Sequence, residues 1–218
     1  MKLKNNHKFV LAADGSGASG KTTGAKIISR KYGLKFLSSG LLYRFASHQL
    51  LKYKPKNKVK FLKSKFKKLN YSKVERISLH SPQISAHTSS IAKIKKVRDI
   101  LKKFQIKFSK KYRNCCIEGR DISTKILPNS DVKFFFKCNL NTAAKRRYKE
   151  LKKKNSKIKF EEVKKALRIR NILDTKRKHS PLLKHRNSVE IDTGLLSKQA
   201  MLAKMSGYID EVLKKYEK

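Results

Sequence analysis

Apolar positions in this chain fall into short runs separated by stretches with helical spacing. Phe9–Val10–Leu11–Ala12–Ala13 is continuously apolar and ends in Asp14–Gly15, which predicts a strand buried on both faces. A helix over 21–31 follows and stops near Gly33. Lys35–Phe36–Leu37 reads as a second strand and 41–51 as a helix, interrupted by Pro55 and Asn57. The pattern is weakest over 55–80, where 58–68 reads as a very basic helix and 74–79 as a strand. From 83 to 111 it is helical, with Ile91, Ile94, Val97, Ile100, Leu101 and Phe104 on one face. Strands follow at 115–117, opening into Glu118–Gly119–Arg120–Asp121, and at 132–138. Helices at 141–154 and 160–175 are joined by the Lys/Asn/Ser stretch 152–157, which reads as a solvated linker. A strand at 189–192 and a helix at 197–216 complete the series. Apolar strands alternating with helices predict an α/β, three-layer fold with a five-stranded parallel sheet covered on both faces. Ligands of such sheets sit beyond the carboxyl ends of the strands, so the residues just after each strand carry the functional information.

A length of 218 residues fits one main domain with a small insertion. No apolar stretch approaches the roughly 18 residues of a membrane span. The run at 9–13 is too short for the core of a signal peptide. Three cysteines, Cys115, Cys116 and Cys138, make neither a disulfide framework nor a zinc spacing. They fit a reducing cytosol, with burial in or beside strands. Charge alters the picture more. Lys and Arg number 57 against 15 Asp and Glu, a formal net charge of +42. That balance points to nucleic acid, an acidic membrane surface or a phosphorylated substrate. Only 12 of the basic residues are Arg and 45 are Lys. A lysine excess of this kind also arises as a compositional background. Against it, each arginine stands out as a place where a planar, bidentate donor is required.

Gly15–Ser16–Gly17–Ala18–Ser19–Gly20–Lys21–Thr22 matches G-x-x-x-x-G-K-[ST] between a strand and a helix, the context that this phosphate-binding loop requires. Glycines let the backbone close round phosphates, and free N–H groups at the helix start face the anion. Lys21 is expected to reach the β- and γ-phosphates, and the Thr22 hydroxyl to ligate Mg²⁺. The loop identifies ATP-type nucleotide binding and leaves the reaction open. The other strand ends supply Ser39 and Arg44 after the second strand, Arg120–Asp121 after the third, and Arg146 and Arg147 after the fourth. Arg98 lies in the long helix, and Arg168, Arg170 and Arg177 come late in the chain.

With these residues in place, the chain resembles bacterial cytidylate kinases, P-loop nucleoside monophosphate kinases. The resemblance is carried by the P-loop, by Leu37–Ser38–Ser39–Gly40–Leu41–Leu42–Tyr43–Arg44, by Val97–Arg98, and by Glu118–Gly119–Arg120–Asp121 through Thr124. It continues through Arg146–Arg147–Tyr148, Arg170, Asp174, Arg177, Pro181–Leu182 and Ile191–Asp192–Thr193. It covers about residues 8–215.

The resemblance implies transfer of the γ-phosphate of ATP to CMP or dCMP with Mg²⁺. It implies one P-loop kinase domain with a short NMP-binding insertion at about 45–90 and a helical lid at about 148–180. Ser39, Arg44, Ser89, Arg98, Arg120 and Asp121 match positions that hold the monophosphate. Arg44 and Arg120 would grip its phosphate; Ser89, Arg98 and Asp121 would read the base and sugar. Arg170 and Arg177 match lid arginines at the phosphates, Asp174 a sugar contact, and Arg146 a residue near the donor nucleotide. Lys21, Arg120, Arg170 and Arg177 would be the catalytic cations. A cytoplasmic monomer with no specific nucleic acid or membrane partner is expected. A P-loop kinase for UMP or AMP, or a nucleic-acid-binding P-loop protein, is the alternative.

Overall fold

The computed structural model describes residues 8–153 and 156–216. In chain order the elements are β1 (Phe9–Gly15), α1 (Lys21–Lys31), β2 (Lys35–Ser38), α2 (Ser39–Tyr53), α3 (Lys58–Lys67), α4 (Tyr71–Glu75), α5 (Pro82–Ile91) and α6 (Lys95–Lys111). There follow β3 (Asn114–Gly119), a π-helical turn (Ile122–Ile126), β4 (Val132–Lys137), α7 (Leu140–Lys152), α8 (Phe160–Lys176), β5 (Val189–Asp192) and α9 (Lys198–Lys215). They form two compact units. One contains the chain through Leu37 and from Tyr112 onward, and the other Ser38–Lys111.

The first unit is built on a five-stranded sheet of order β2-β3-β1-β4-β5. β1 pairs in parallel with β3 and β4, and β4 in parallel with β5. The α/β class and parallel sheet are those expected. β1 is central and buried along its whole length, which its unbroken apolar run makes possible. Its first N–H groups are fixed by distant partners: Phe9 N donates to Arg113 O at 3.1 Å and Val10 N to Asp131 Oδ2 at 2.6 Å. On one face Phe9, Leu11, Phe134 and Phe136 pack with Ala25 and Ile28 of α1 and Met201, Met205 and Ile209 of α9. α7 and α8 pack on each other through Ala143, Ala144 and Leu167, with Tyr148 edge-on to Phe160 at 5.8 Å. Cys115 and Cys116 are buried in β3, as their pattern suggested. Of the linker read at 152–157, Lys154 and Asn155 lie outside the described residues.

The second unit is helical, and the 45–90 segment lies within it. Phe66 sits between Phe45 and Phe104 in edge-on contacts of 6.0 and 5.8 Å. Two expectations change here. The 74–79 run is no strand. Asn70 accepts a bond from Ser72 N and starts the short α4, and Val74 and Leu79 are fully buried as plugs of the helical core. A local cap and tertiary packing outweigh the β-branched bias of the run. The helix read over 83–111 is two. Ser81 caps α5 by accepting from Ile84 N, with Pro82 in its first turn, and the chain turns at 92–94 before α6. Ile94 therefore falls in the turn and is 41% exposed, off the apolar face it was assigned to.

Candidate active site

β1 runs into the P-loop at Gly15, and α1 starts at Lys21. Gly20 precedes the helix at φ +74°, a left-handed conformation that glycine adopts without strain, and a Cβ there would press on Thr193 at 3.2 Å. The basic residues Arg30 and Lys31 lie in the last turn of α1 and none of the first turn is acidic, so the N-terminus stays positive for an anion.

Braces hold the loop open. Ser19 Oγ donates to Ser16 O at 3.0 Å, Thr193 Oγ1 donates to Ser19 O at 2.9 Å, and Gly17 N donates to Asn171 Oδ1 at 3.2 Å. Arg146 reaches the loop through Thr193, donating to its Oγ1 at 2.8 Å and its carbonyl at 2.7 Å.

Lys21 Nζ contacts Glu118 Oε2 at 2.5 Å, both side chains buried. Burial pulls the Lys21 ammonium below its ordinary range, with Arg120 adding to the effect, while Glu118 opposes it. Glu118, Thr193 and Asn171 were not assigned from the sequence. Glu118 and Thr193 lie in motifs that carry the resemblance, which give them no role at the loop; Asn171 and Thr193 are brought there from 154 or more residues away.

Next to the loop, three guanidinium groups converge on one carboxylate. Arg120 Nε donates to Asp174 Oδ2 at 2.9 Å, Arg177 NH1 lies 3.3 Å from Asp174 Oδ1, and Arg170 Nε lies 4.0 Å from Oδ2. Arg177 NH2 is also 3.8 Å from Asp121 Oδ1. Burial pushes Asp174 up, but Arg120, Arg170 and Arg177 outweigh it and hold the carboxyl below its usual range. Burial and then the neighbouring Arg120 lower Arg170 to about 10, still protonated at neutral pH. Three arginines here face two carboxylates, Asp174 and Asp121, an arrangement that a multiply charged anion relieves. Arg120, Asp121, Arg170, Asp174 and Arg177 are thus gathered in one place.

The other candidates belong to the helical unit. Arg44 on α2 is buried and donates to Leu79 O at 3.1 Å and Ser85 Oγ at 2.8 Å. Ser89 Oγ donates to Ser85 O at 3.4 Å, so Ser85 of α5 lies between two of the assigned residues. Arg98 stacks on Tyr43 at 5.6 Å and donates to Ala92 O at 3.2 Å. Ser39 is buried at the start of α2, where its neighbour Ser38 is the cap, accepting from Leu41 N.

Among the described residues no group of three or more His, Cys, Asp or Glu is gathered to enclose a metal ion. Thr22, exposed at the head of α1, carries a hydroxyl oxygen. It suits a hard cation such as Mg²⁺ held mainly by phosphate oxygens and water.

A family model described as cytidylate kinase matches residues 11–211. The chain belongs to the cytidylate kinase family. It is 36% identical over 207 residues to a cytidylate kinase of Bartonella quintana, covering 94% of this chain and 96% of that one. It is 33% identical to a cytidylate kinase of Fusobacterium nucleatum, covering 94% and 98%. Among solved structures, an uncharacterized protein from Eubacterium ventriosum matches with a TM-score of 0.52 at 16% identity, over 94% of this chain and 99% of that one. TT1252 from Thermus thermophilus matches at 0.51 and 14%, over 94% and 98%. These two likenesses concern the fold. Within the cytidylate kinase family the match runs from β1 to α9, across both compact units.

Proposed function

We propose that this protein transfers the γ-phosphoryl group of ATP to CMP or dCMP, giving ADP and CDP or dCDP. The observation that carries the reading is a P-loop with its lysine beside a cluster of three arginines, in a chain of the cytidylate kinase family. The loop of Gly15, Ser16, Gly17, Ala18, Ser19 and Gly20, with Lys21, holds the donor phosphates. Arg146 orders their loop through Thr193. Arg120 and Arg44 take the acceptor phosphate. Ser39, Ser89, Arg98, Asp121 and Asp174 select its sugar and base.

The acceptor phosphate oxygen is already an anion, so attack in line on the γ-phosphorus needs no general base. Lys21, Arg120, Arg170 and Arg177 neutralise charge on the transferring group. The lid at about 148–180 and the monophosphate-binding insertion at about 45–90 belong to one P-loop kinase domain, and lid closure keeps water from the γ-phosphate. Thr22 would hold Mg²⁺ at the donor phosphates, where the ion would supply charge neutralisation and orientation. Three free thiols suit the cytoplasm, and a charge of +42 favours a monomer through self-repulsion. No helix among the described residues is long and apolar enough to cross a membrane.

The test is turnover with ATP and Mg²⁺ across CMP, dCMP, UMP and AMP, with Lys21→Ala as control. Cytidine-selective turnover, lost in a folded Lys21→Ala variant, is the expected result. Equal turnover of AMP, no turnover of CMP, or a Lys21→Ala variant that still forms CDP refutes the reading.

A further inference from the structure

The residue immediately before the P-loop is a fully buried acid. Asp14 has no exposed surface, and its carboxylate is spent on the turn that follows Arg120–Asp121. Oδ1 accepts from Ile122 N at 2.8 Å. Oδ2 accepts from Ser123 N at 2.7 Å and from Ser123 Oγ at 2.6 Å. These are the first N–H groups of the π-helical turn, and no side chain within the turn caps them. Asp121 O in turn accepts from Lys125 N and Ile126 N, which fixes the carbonyl adjoining Arg120–Asp121. π-turns are frequent at functional sites, and their irregular backbone persists where the surrounding structure holds it.

Burial pushes the Asp14 carboxyl up to about 6 against the pull of its three donors, with Asp121 nearby adding to the rise. Lys21 is the cation that feels its charge. Burying this acid is offset by the three hydrogen bonds it accepts from the turn.

We propose that Asp14 is a positioning residue for the acceptor monophosphate, acting through Arg120 and Asp121. The inference rests on the acceptor role given to Arg120 above. One side chain then ties the end of β1, from which the donor loop hangs, to the turn that aims the acceptor arginine. Asn at this position cannot serve both backbone donors. Its NH₂ would face either the Ile122 or the Ser123 N–H, leaving one buried donor opposed. Donor binding is separately braced, by the Ser16–Ser19 bond and by Thr193.

The experiment measures KM for CMP and for ATP, kcat, and the thermal midpoint in Asp14→Asn, Ser123→Ala and Arg120→Ala. For Asp14→Asn, the KM for CMP is expected to rise roughly tenfold or more while that for ATP stays within about threefold. Ser123→Ala removes one donor of three and is expected to show the same split on a smaller scale, about two- to fourfold. Equal shifts in both constants, or a fall in thermal midpoint with neither constant moved, overturn the proposal. If Asp14→Asn fails to fold, Ser123→Ala decides, and absence of the split there overturns it as well. An Arg120→Ala variant with an unchanged KM for CMP refutes the acceptor reading instead, whatever Asp14 does.

Discussion

Asp174 holds the arginine cluster together, and its charge has a consequence for stability. The three arginines keep its folded-state pKa below the usual value, so its contribution is present above the unfolded pKa and is lost as pH falls through the folded one. Asp174→Asn is therefore expected to lower the thermal midpoint at neutral pH. The gap to the parent protein should close below about pH 4. Melting curves between neutral and strongly acidic pH check this, and a gap that stays constant with pH sinks it. At this scale legibility was uneven. Lys21, Arg120, Arg170 and Arg177 stand out because a fixed spacing, or an arginine in a lysine-rich chain, marks a geometric task; Asp174 is marked by the family resemblance alone. Glu118 and Thr193 fall in the motifs that carry the resemblance, but their bracing contacts are not legible there, because an acid or a threonine at a strand end becomes a loop brace only once the sheet brings it there.

Elements were legible where one physical signal dominated. β1, α1, β4, β5 and α9 follow directly from apolar runs and helical spacing. The 74–79 run misled because valine and isoleucine favour strands in general, while here Asn70 starts a helical turn and the surrounding helices bury Val74. The π-turn after β3 had no sequence signal at all, since its N–H groups are satisfied by Asp14, 108 and 109 residues away. One element contact makes its own prediction. Gly24 brings α1 close to β4, and a Cβ there would lie 2.7 Å from Phe136 Cε1 and 3.3 Å from Met201 Sδ. Alanine in place of a helical glycine gains about 1 kcal/mol in helix propensity, but overpacking at such a contact costs about 1–3 kcal/mol. Gly24→Ala should lower the thermal midpoint, and Phe136→Leu in the same chain should restore part of it. A higher midpoint in Gly24→Ala alone would show that the contact has room.

For the whole molecule, the +42 charge divides into a lysine background and a few placed arginines. Between Ser38 and Lys111 only Glu75 and Asp99 are acidic, so the helical unit is cationic almost throughout. Binding of RNA or DNA to such a surface is expected to be independent of sequence and to fall by orders of magnitude between roughly 50 and 200 mM salt. Fluorescence anisotropy with two unrelated oligonucleotides over that range checks it, and tight, sequence-selective binding at the higher salt would make the charge functional. The central position of β1 bears on how the chain reaches its native state. Residues 9–15 pair with 114–119 and 132–136, and nothing nearer in sequence completes the strand. The loop that binds the nucleotide thus has no platform until a segment more than a hundred residues later has been made. Until then the most apolar stretch near the start of the chain stays unpaired, so folding is non-local and slow to begin, and this strand is the one most in need of protection during synthesis.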